Sequence, residues 1–219
     1  MKPLLAAITL LAALPVAAQV EPNAAPQPAV PAQPAADPDA GLPKVDIQTS
    51  AGPIVVAVDT VHAPITGRNF LAYVDQHKLD GETFYRTVKV QDQFGFVQFG
   101  VNGDPKRVLP PIAHEPTTQT GIHHVSGTLS TARREPGTAQ GEFTIVVGDQ
   151  RPSFDADPSK PGDNLGYAAF GHVVSGMDVV NTILDGAVDP EATVRGSFKG
   201  EVPAAPVRII SATREPVAG

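Results

Sequence analysis

The pattern of hydrophobic and polar positions predicts short β-strands interrupted by two helices. Val45, Ile47 and Thr49 alternate with polar residues, and the apolar run 54–58 follows after a Gly- and Pro-containing break, which predicts a β-hairpin. A last strand is predicted at residues 207–210. Between them, four further runs punctuated by Gly and Pro have the character of strands, at residues 83–90, 94–101, 127–132 and 143–148.

Two segments have the spacing of amphipathic helices instead. The first begins at Ala63-Pro64, with proline at an allowed first-turn position, and its apolar or mixed face comprises Phe70, Tyr73, Val74 and His77. The second covers residues 176–184, ends at an Asp-Gly pair and carries an apolar stripe of Val179, Val180, Ile183 and Leu184. Many strands with two separated helices predict a mainly β chain, folded as a closed barrel capped by the helices.

The N-terminal residues indicate export. Lys2 is followed by an apolar stretch at 4–14 and by small residues at 16–18, as a cleavable signal peptide requires. The apolar stretch is too short to remain as a membrane-spanning helix, so we expect a periplasmic protein with no span after cleavage. We therefore expect a signal peptide at residues 1–18 and a Pro- and Ala-rich disordered linker at 19–43. One domain follows at 44–214, with a C-terminal tail at 215–219.

Composition narrows the chemistry. The formal net charge of -7 argues against a nucleic-acid partner, which would need clustered Lys and Arg. The absence of Cys excludes disulfides, thiol catalysis and cysteine-ligated zinc. Three histidines and an acidic loop lack the spacing of known zinc or calcium sites, so no metal is predicted there: His114, His123, His124, Asp149, Asp155, Asp157 and Asp163. Ser126 or Ser130 could join a His and an Asp in a triad, but no Gly-x-Ser-x-Gly motif supports it.

Several short motifs, each weak alone, follow one another in a specific order. They are Thr49-Ser50-Ala51-Gly52, Ala63-Pro64, Asn69-Phe70-Leu71, Leu79-Asp80-Gly81-Glu82-Thr83-Phe84-Tyr85-Arg86, Val97-Gln98, Gly127-Thr128-Leu129-Ser130, Phe143-Thr144-Ile145 and Phe170-Gly171-His172-Val173. In this order, over residues 45–212, they resemble the cyclophilin family. The resemblance implies an eight-stranded antiparallel barrel with a helix at each end, and prolyl cis–trans isomerisation without metal or organic cofactor.

The resemblance also implies the site. Arg86 matches the family's catalytic arginine, and Gln98 matches the glutamine that binds the substrate backbone and orients that arginine. Phe143 is expected to form the floor of the proline pocket and Phe170 to lie at its side. A pocket phenylalanine is expected at Phe94 or Phe96, and we favour Phe94 because Gly95 could absorb an inserted residue as a bulge.

Other pocket positions depart from the family. Glu142 stands where a substrate-contacting Gln is usual, and Tyr167 stands where the family has a His. The chain has no Trp, so Ser153 or Phe154 takes the place of the pocket-edge Trp of many members. The two remaining departures are Thr144 in place of an aromatic residue and Arg133 in place of Asn.

These departures leave two functions open. The first is an active isomerase, a monomer that accelerates rotation about X–Pro bonds in unfolded or flexible polypeptides and so assists folding. The second is a low-turnover module that binds proline-containing segments of a partner protein. Arg86 and Gln98 favour the enzyme, whereas Thr144 and Glu142 allow the binding module. A hydrolase on the same barrel is disfavoured, because the sequence offers no recognisable nucleophile.

Overall fold

The computed structural model of the chain describes residues 39–216, which form ten strands and four helices. The strands are β1 (Lys44–Thr49), β2 (Gly52–Val58), β3 (Phe84–Gln91), β4 (Phe94–Gly100), β5 (Thr128–Thr131), β6 (Glu142–Val147), β7 (Ala168–Ser175), β8 (Val188–Asp189), β9 (Val202–Pro203) and β10 (Ile209–Arg214). The helices are α1 (Pro64–Asp75), α2 (Thr117–Thr120), α3 (Arg151–Phe154) and α4 (Met177–Leu184).

Eight of the strands form one antiparallel sheet that curls on itself. Their order is β10-β1-β2-β7-β5-β6-β4-β3, while β8 and β9 pair separately. The two edges of the large sheet meet where Thr83 bridges to Arg208. Beside that bridge, the Phe84 N–H donates to the Val207 carbonyl at 2.9 Å. The prediction of an eight-stranded antiparallel, barrel-like fold is therefore confirmed.

Most elements lie where the hydrophobic pattern predicts them. Proline occupies the first turn of α1, and α4 buries the predicted apolar stripe. His77 is an exception, because α1 ends before it and its ring is exposed. Strand β10 begins at Ile209 and continues to Arg214, beyond the predicted end. Periodicity did not predict β7, whose first four residues are all buried and so lack alternation.

The core consists of inward-facing strand residues and the buried faces of the two longer helices. Helix α1 packs against β7 and β10, and α4 packs against β2, β3 and β4. Four phenylalanine rings pack edge-to-face or tilted in the centre, with centroids 5.0–5.9 Å apart in the contacting pairs: Phe70, Phe99, Phe143 and Phe170. This core fixes the strands whose opposite faces carry the candidate site.

The ends of the chain lie largely outside the described residues. The predicted signal peptide lies there, as do most of the predicted linker and the last three residues of the tail. The linker's final residues are described, and Asp39 is buried with its carboxylate 3.0 Å from His172 Nε2. The Val58 N–H donates to the Pro43 carbonyl at 2.9 Å. Within residues 39–216, no helix is long and apolar enough to cross a bilayer.

Candidate functional site

A cleft of about 750 Å³ lies on the face of β3, β4 and β6 that points away from the core. Strand alternation produces it, because successive side chains point to opposite faces. Gln98 and Thr144 line the cleft and lie opposite each other across β4 and β6. Their neighbours Phe99 and Phe143 also lie opposite each other, and both are fully buried in the core.

Arg86 and Gln98 form the polar centre of the cleft. They lie opposite each other where β3 pairs with β4, and Arg86 Nη1 donates to Gln98 Oε1 at 3.1 Å. The pairing register shifts between Phe84 and Arg86, so a bulge at Tyr85 brings both Tyr85 and Arg86 into the cleft lining. The site thus holds a guanidinium whose orientation is set by the carboxamide opposite it.

A row of aromatic rings runs along the cleft beside Arg86. The Arg86 Cζ lies 5.0 Å from the centroid of Phe96, and Phe96 lies 5.5 Å from Phe154. Phe154 in turn lies 5.2 Å from Tyr167. These three rings supply a continuous apolar surface next to a fixed cation, which suits a small apolar ring such as that of proline.

Glu142 lines the cleft, and both oxygens of its carboxylate accept hydrogen bonds from within the protein. The Tyr85 hydroxyl donates to Glu142 Oε2 at 2.5 Å, and the Gly103 N–H donates to Oε1 at 2.8 Å. Burial raises the pKa of Glu142, although both hydrogen bonds oppose that rise. Burial and the neighbouring Glu142 charge raise the pKa of the Tyr85 phenol, which therefore stays protonated and remains the donor.

Arg133 forms the far wall and is also held in place. Its guanidinium makes two hydrogen bonds to the Asp163 carboxylate, at 2.8 and 2.9 Å, and Nε donates to the Gly166 carbonyl at 2.8 Å. The Arg133 hydrogen bonds hold the pKa of Asp163 well below its usual range. The Arg133 Cζ lies 5.7 Å from the Tyr167 ring centroid. Arg133 thus stiffens the wall on which Tyr167 rests.

Three predicted pocket residues do not line the cleft. Phe143 and Phe170 are fully buried and contact each other in the core. The neighbours of Phe143, Glu142 and Thr144, line the cleft instead, whereas no residue of β7 does. Phe94 lies beyond the cleft, near Gly148, where an added Cβ would come within 2.6 Å of its ring. The extra residue is absorbed in β3, where the register shifts between Lys89 and Gln91. Phe94 lies two residues before Phe96 at the start of β4, and of the two only Phe96 lines the cleft.

The other predicted positions do come together. Arg86, Gln98, Phe96, Glu142, Tyr167 and Phe154 all line the cleft. Phe154 rather than Ser153 forms part of its edge, since Ser153 is exposed and outside the lining. Of each pair of alternatives that the sequence left open, Phe96 and Phe154 are the residues that line the cleft.

Sequence reasoning missed one side of the site. The loop at residues 190–200 contributes Val194, Arg195, Ser197 and Phe198 to the cleft lining. Just after it, Glu201 accepts a hydrogen bond from Arg86 at 2.6 Å, across 115 positions of sequence. No local pattern links residues so far apart. Tyr85 was missed too, although its place next to Arg86 was a usable signal.

A Ser–His–Asp arrangement lies behind the cleft wall. His124 Nδ1 is 2.6 Å from Asp155 Oδ1, and His124 Nε2 is 2.8 Å from Ser130 Oγ. Both Ser130 and His124 are fully buried, so a substrate cannot reach the hydroxyl. The His124 ring contacts Phe154 at 5.5 Å, which makes this network a support for the aromatic row. Among residues 39–216, no group of three or more His, Asp or Glu side chains is arranged to hold a metal ion.

Comparisons with known proteins agree on one family. The family model described as cyclophilin type peptidyl-prolyl cis-trans isomerase/CLD matches residues 44–214. Peptidyl-prolyl cis-trans isomerase cyp18 of Streptomyces antibioticus is 36% identical over 173 residues, covering 77% of this chain and 96% of that protein. Peptidyl-prolyl cis-trans isomerase B of Escherichia coli strain K12 is 32% identical over 174 residues, covering 77% and 98%.

A solved structure extends the likeness to the fold. It is a cyclophilin type peptidyl-prolyl cis-trans isomerase of Cryptosporidium parvum, crystallised in the presence of the dipeptide Ala-Pro. Its TM-score against this chain is 0.60 at 21% identity, covering 79% of this chain and 99% of that one.

Proposed function

This chain belongs to the cyclophilin-type peptidyl-prolyl cis–trans isomerases, and from that premise we propose that the cleft around Arg86 is where it acts. The activity follows from the family and from the relatives: the chain accelerates rotation about X–Pro bonds in proline-containing polypeptides and so assists protein folding. The proposal concerns which residues perform the reaction, in which compartment, and in which assembly state.

The reaction requires only that amide resonance be weakened. The X–Pro bond rotates over tens to hundreds of seconds because partial double-bond character sets a barrier of about 18–20 kcal/mol. As the amide twists, the prolyl nitrogen becomes pyramidal and regains its lone pair. A hydrogen-bond donor aimed at that nitrogen stabilises the twisted state more than the planar one, which lowers the barrier.

Arg86 is suited to be that donor. Its guanidinium is always charged and planar, and it is held by Gln98 at 3.1 Å and by Glu201 at 2.6 Å. Gln98 accepts from Arg86 through Oε1, and its amide N–H₂ group, which lies next to the Tyr85 phenol, has an N–H to donate to a substrate carbonyl. The pyrrolidine ring would rest on Phe96, Phe154 and Tyr167.

The observation that carries the proposal is the contact between Arg86 and Gln98 beside the Phe96 ring. We expect Arg86→Ala to lower the isomerisation rate of a short X–Pro peptide at least tenfold, about 1.4 kcal/mol of transition-state stabilisation. The assay is protease-coupled, with circular dichroism to verify the fold. Arg68→Ala, at an exposed position on α1, is the matched control. An unchanged rate in folded Arg86→Ala would remove Arg86 from the mechanism.

The binding-module alternative is supported by two features of the cleft. Thr144 makes the wall smaller than an aromatic residue would, and Glu142 has its oxygens occupied by Tyr85 and Gly103. A module of this kind would bind X–Pro peptides in calorimetry while leaving their isomerisation near the uncatalysed rate. Measuring binding and turnover on the same peptide separates the two functions.

We also propose that the protein is exported and acts in the periplasm as a monomer without a nucleic-acid partner. Lys2, the apolar stretch 4–14 and the small residues 16–18 support export, and the net charge of -7 weighs against nucleic acid. N-terminal sequencing of protein recovered from the periplasmic fraction tests the proposal. A mature chain starting at Gln19 is expected, whereas an intact Met1 in the cytosolic fraction would contradict it. Sedimentation of the mature chain gives its assembly state.

A further inference from the structure

The loop at residues 190–200 and the residue that follows it contact Arg86 beside the edge strand β3. Glu201 Oε2 lies 2.6 Å from Arg86 Nε, and the Phe198 ring centroid lies 4.2 Å from Arg86 Cζ. We propose that Phe198 and Glu201 are positioning residues that fix the plane of the Arg86 guanidinium. This inference rests on the proposed role of Arg86 and adds two residues that set the orientation of its guanidinium.

The contacts leave Arg86 little freedom. Glu201 takes the Nε–H, Gln98 takes one Nη1 N–H, and the rings of Phe96 and Phe198 lie within 5.0 Å of Cζ. A guanidinium carries five N–H donors in one plane, so three stay available to a substrate. The hydrogen bonds at Nε and Nη1 hold the guanidinium at two separate atoms, so together they resist rotation of its plane. The Gln98 bond at Nη1 alone would hold it at only one atom.

Glu201 itself is anchored next to Arg86. Its carbonyl accepts the N–H of Thr87, the neighbour of Arg86 on β3, at 2.8 Å, and its own N–H donates to the Phe198 carbonyl at 2.9 Å. Val202 then pairs with β8. The Glu201 carboxylate therefore extends from backbone that is hydrogen-bonded both to β3 and to Phe198, and not from the tip of a free loop.

Two residues of the loop that contacts Arg86 have backbone conformations that are unfavourable for their side chains. Phe198 has φ 63° and Arg195 has φ 53°, a left-handed region that bulky residues rarely adopt. A tight turn in which Val194 and Ser197 exchange N–H···O bonds at 2.8 and 2.9 Å shapes the loop around them. Strained conformations persist where surrounding contacts compensate, and functional sites are where they concentrate. For Phe198, the described compensating contact is its stacking on Arg86.

The test separates positioning from mere structure. We expect Glu201→Ala to lower kcat about tenfold while KM changes less than about twofold, because the ring-binding surface of Phe96, Phe154 and Tyr167 is untouched. Glu201→Gln keeps an oxygen acceptor for Nε and should retain most of the lost kcat. Phe198→Ala should lower kcat, and Phe198→Leu less so. Glu191→Ala is the matched control: Glu191 lies in the same loop and pairs only at the exposed surface with Lys199, so kcat and KM should hold.

A double variant makes the inference sharper. If Glu201 acts through Arg86, adding Glu201→Ala to Arg86→Ala should cause no further loss of kcat. Full activity in Glu201→Ala, no rescue by Glu201→Gln, or additive losses in the double variant would each overturn the inference. These failures are distinct from that of the proposed site. If Arg86→Ala alone keeps normal turnover, the site assignment fails; if Arg86→Ala is impaired and Glu201→Ala is not, only the positioning role fails.

Discussion

Thr144 lies directly opposite Gln98 where β6 pairs with β4, and both side chains line the cleft. By resemblance to the family, an aromatic residue is usual at the Thr144 position. The chain therefore keeps the polar half of the site, Arg86 and Gln98, and has a smaller side chain on part of the apolar half. Proline binding then depends mainly on Phe96, Phe154 and Tyr167.

We expect Thr144→Phe to raise kcat/KM on X–Pro peptides, mostly through a lower KM. The added ring would extend the apolar wall beside Phe96, and about 1 kcal/mol of extra burial corresponds to roughly fivefold. Thr144→Val is the matched control: it loses only a 3.4 Å hydrogen bond to the Ser130 carbonyl and should change KM little. A KM that is unchanged or raised in folded Thr144→Phe would show that the wall is already complete.

The resemblance to the family predicted the polar residues of the cleft better than its apolar ones. Arg86 and Gln98 match the family's arginine and glutamine, and both line the cleft. Phe143 could not be placed in this way, because deciding which of Phe143 and Thr144 faces the cleft requires the strand register, and one residue's error exchanges the two faces. Phe94 was favoured because the extra residue was expected at Gly95, whereas it is absorbed in β3. Phe94 and Phe96 share a face of β4, so how far the cleft extends along the strand decides between them.

The loop that contacts Arg86 lay beyond sequence reasoning altogether. Residues 190–200 carry no periodicity, and their contacts with β3 depend on the path of the chain between two-residue strands. The Glu201–Arg86 pair is a long-range contact without a local motif. In contrast, the hairpin β1–β2 and both longer helices follow from local patterns, and all three were predicted.

The boundary of the folded domain can be tested by truncation. We expect a chain that begins at Lys44 to melt about 2–4 °C lower than one that begins at Asp39, because about 1 kcal/mol shifts the melting temperature of a domain of this size by that amount. Val58 N–H would lose its acceptor on Pro43, and His172 would lose the Asp39 carboxylate 3.0 Å away. Asp39→Asn in the longer chain isolates the contribution of the Asp39 carboxylate. Equal melting temperatures for both chains would mean that residues 39–43 add nothing to stability.

Stability should depend on pH through His124. Burial lowers the pKa of His124 below 6.5, although Asp155 opposes this shift and His123 adds to it. A lowered pKa in the folded state favours the neutral ring, so the stabilisation is complete above the ordinary pKa and is lost as pH falls through the folded value. We therefore expect the melting temperature to fall between about pH 7.5 and about pH 5.

The neighbours of His124 define the control for this experiment. Asp155 titrates lower: burial raises its pKa, but the hydrogen bonds from His124 and His123 outweigh that effect and lower it below 3.8. Burial also lowers the pKa of His114, so His114→Gln should remove a separate part of the slope. His124→Gln should make the melting temperature depend less on pH, even if it lowers the melting temperature at every pH. An unchanged slope in His124→Gln would assign the pH dependence elsewhere.

The charges around the cleft predict a preference for acidic substrates. Four arginines line it, of which Arg86 and Arg133 are paired with carboxylates. Neither Arg134 nor Arg195 forms a close ion pair with any residue of 39–216, although the Arg195 charge is near enough to Glu142 to oppose the rise in the pKa of that carboxyl. The acidic lining residue, Glu142, is covered by Tyr85 and Gly103. A peptide entering the cleft therefore meets positive charge at Arg134 and, only partly balanced by Glu142, at Arg195, although the chain as a whole carries -7.

We expect peptides with Glu before proline to have a kcat/KM about three- to tenfold higher than peptides with Lys there, at low ionic strength. Salt near about 0.5 M should shrink this ratio, because screening shortens the reach of exposed charges. Arg134→Gln combined with Arg195→Gln should lower the ratio towards one, while Arg68→Gln removes a charge on α1 and should leave it in place. The ratio is the readout, since it cancels any general loss of turnover. Equal kcat/KM for Glu and Lys peptides in the wild type, or a ratio insensitive to the Arg134 and Arg195 substitutions, would show that these arginines do not select substrate.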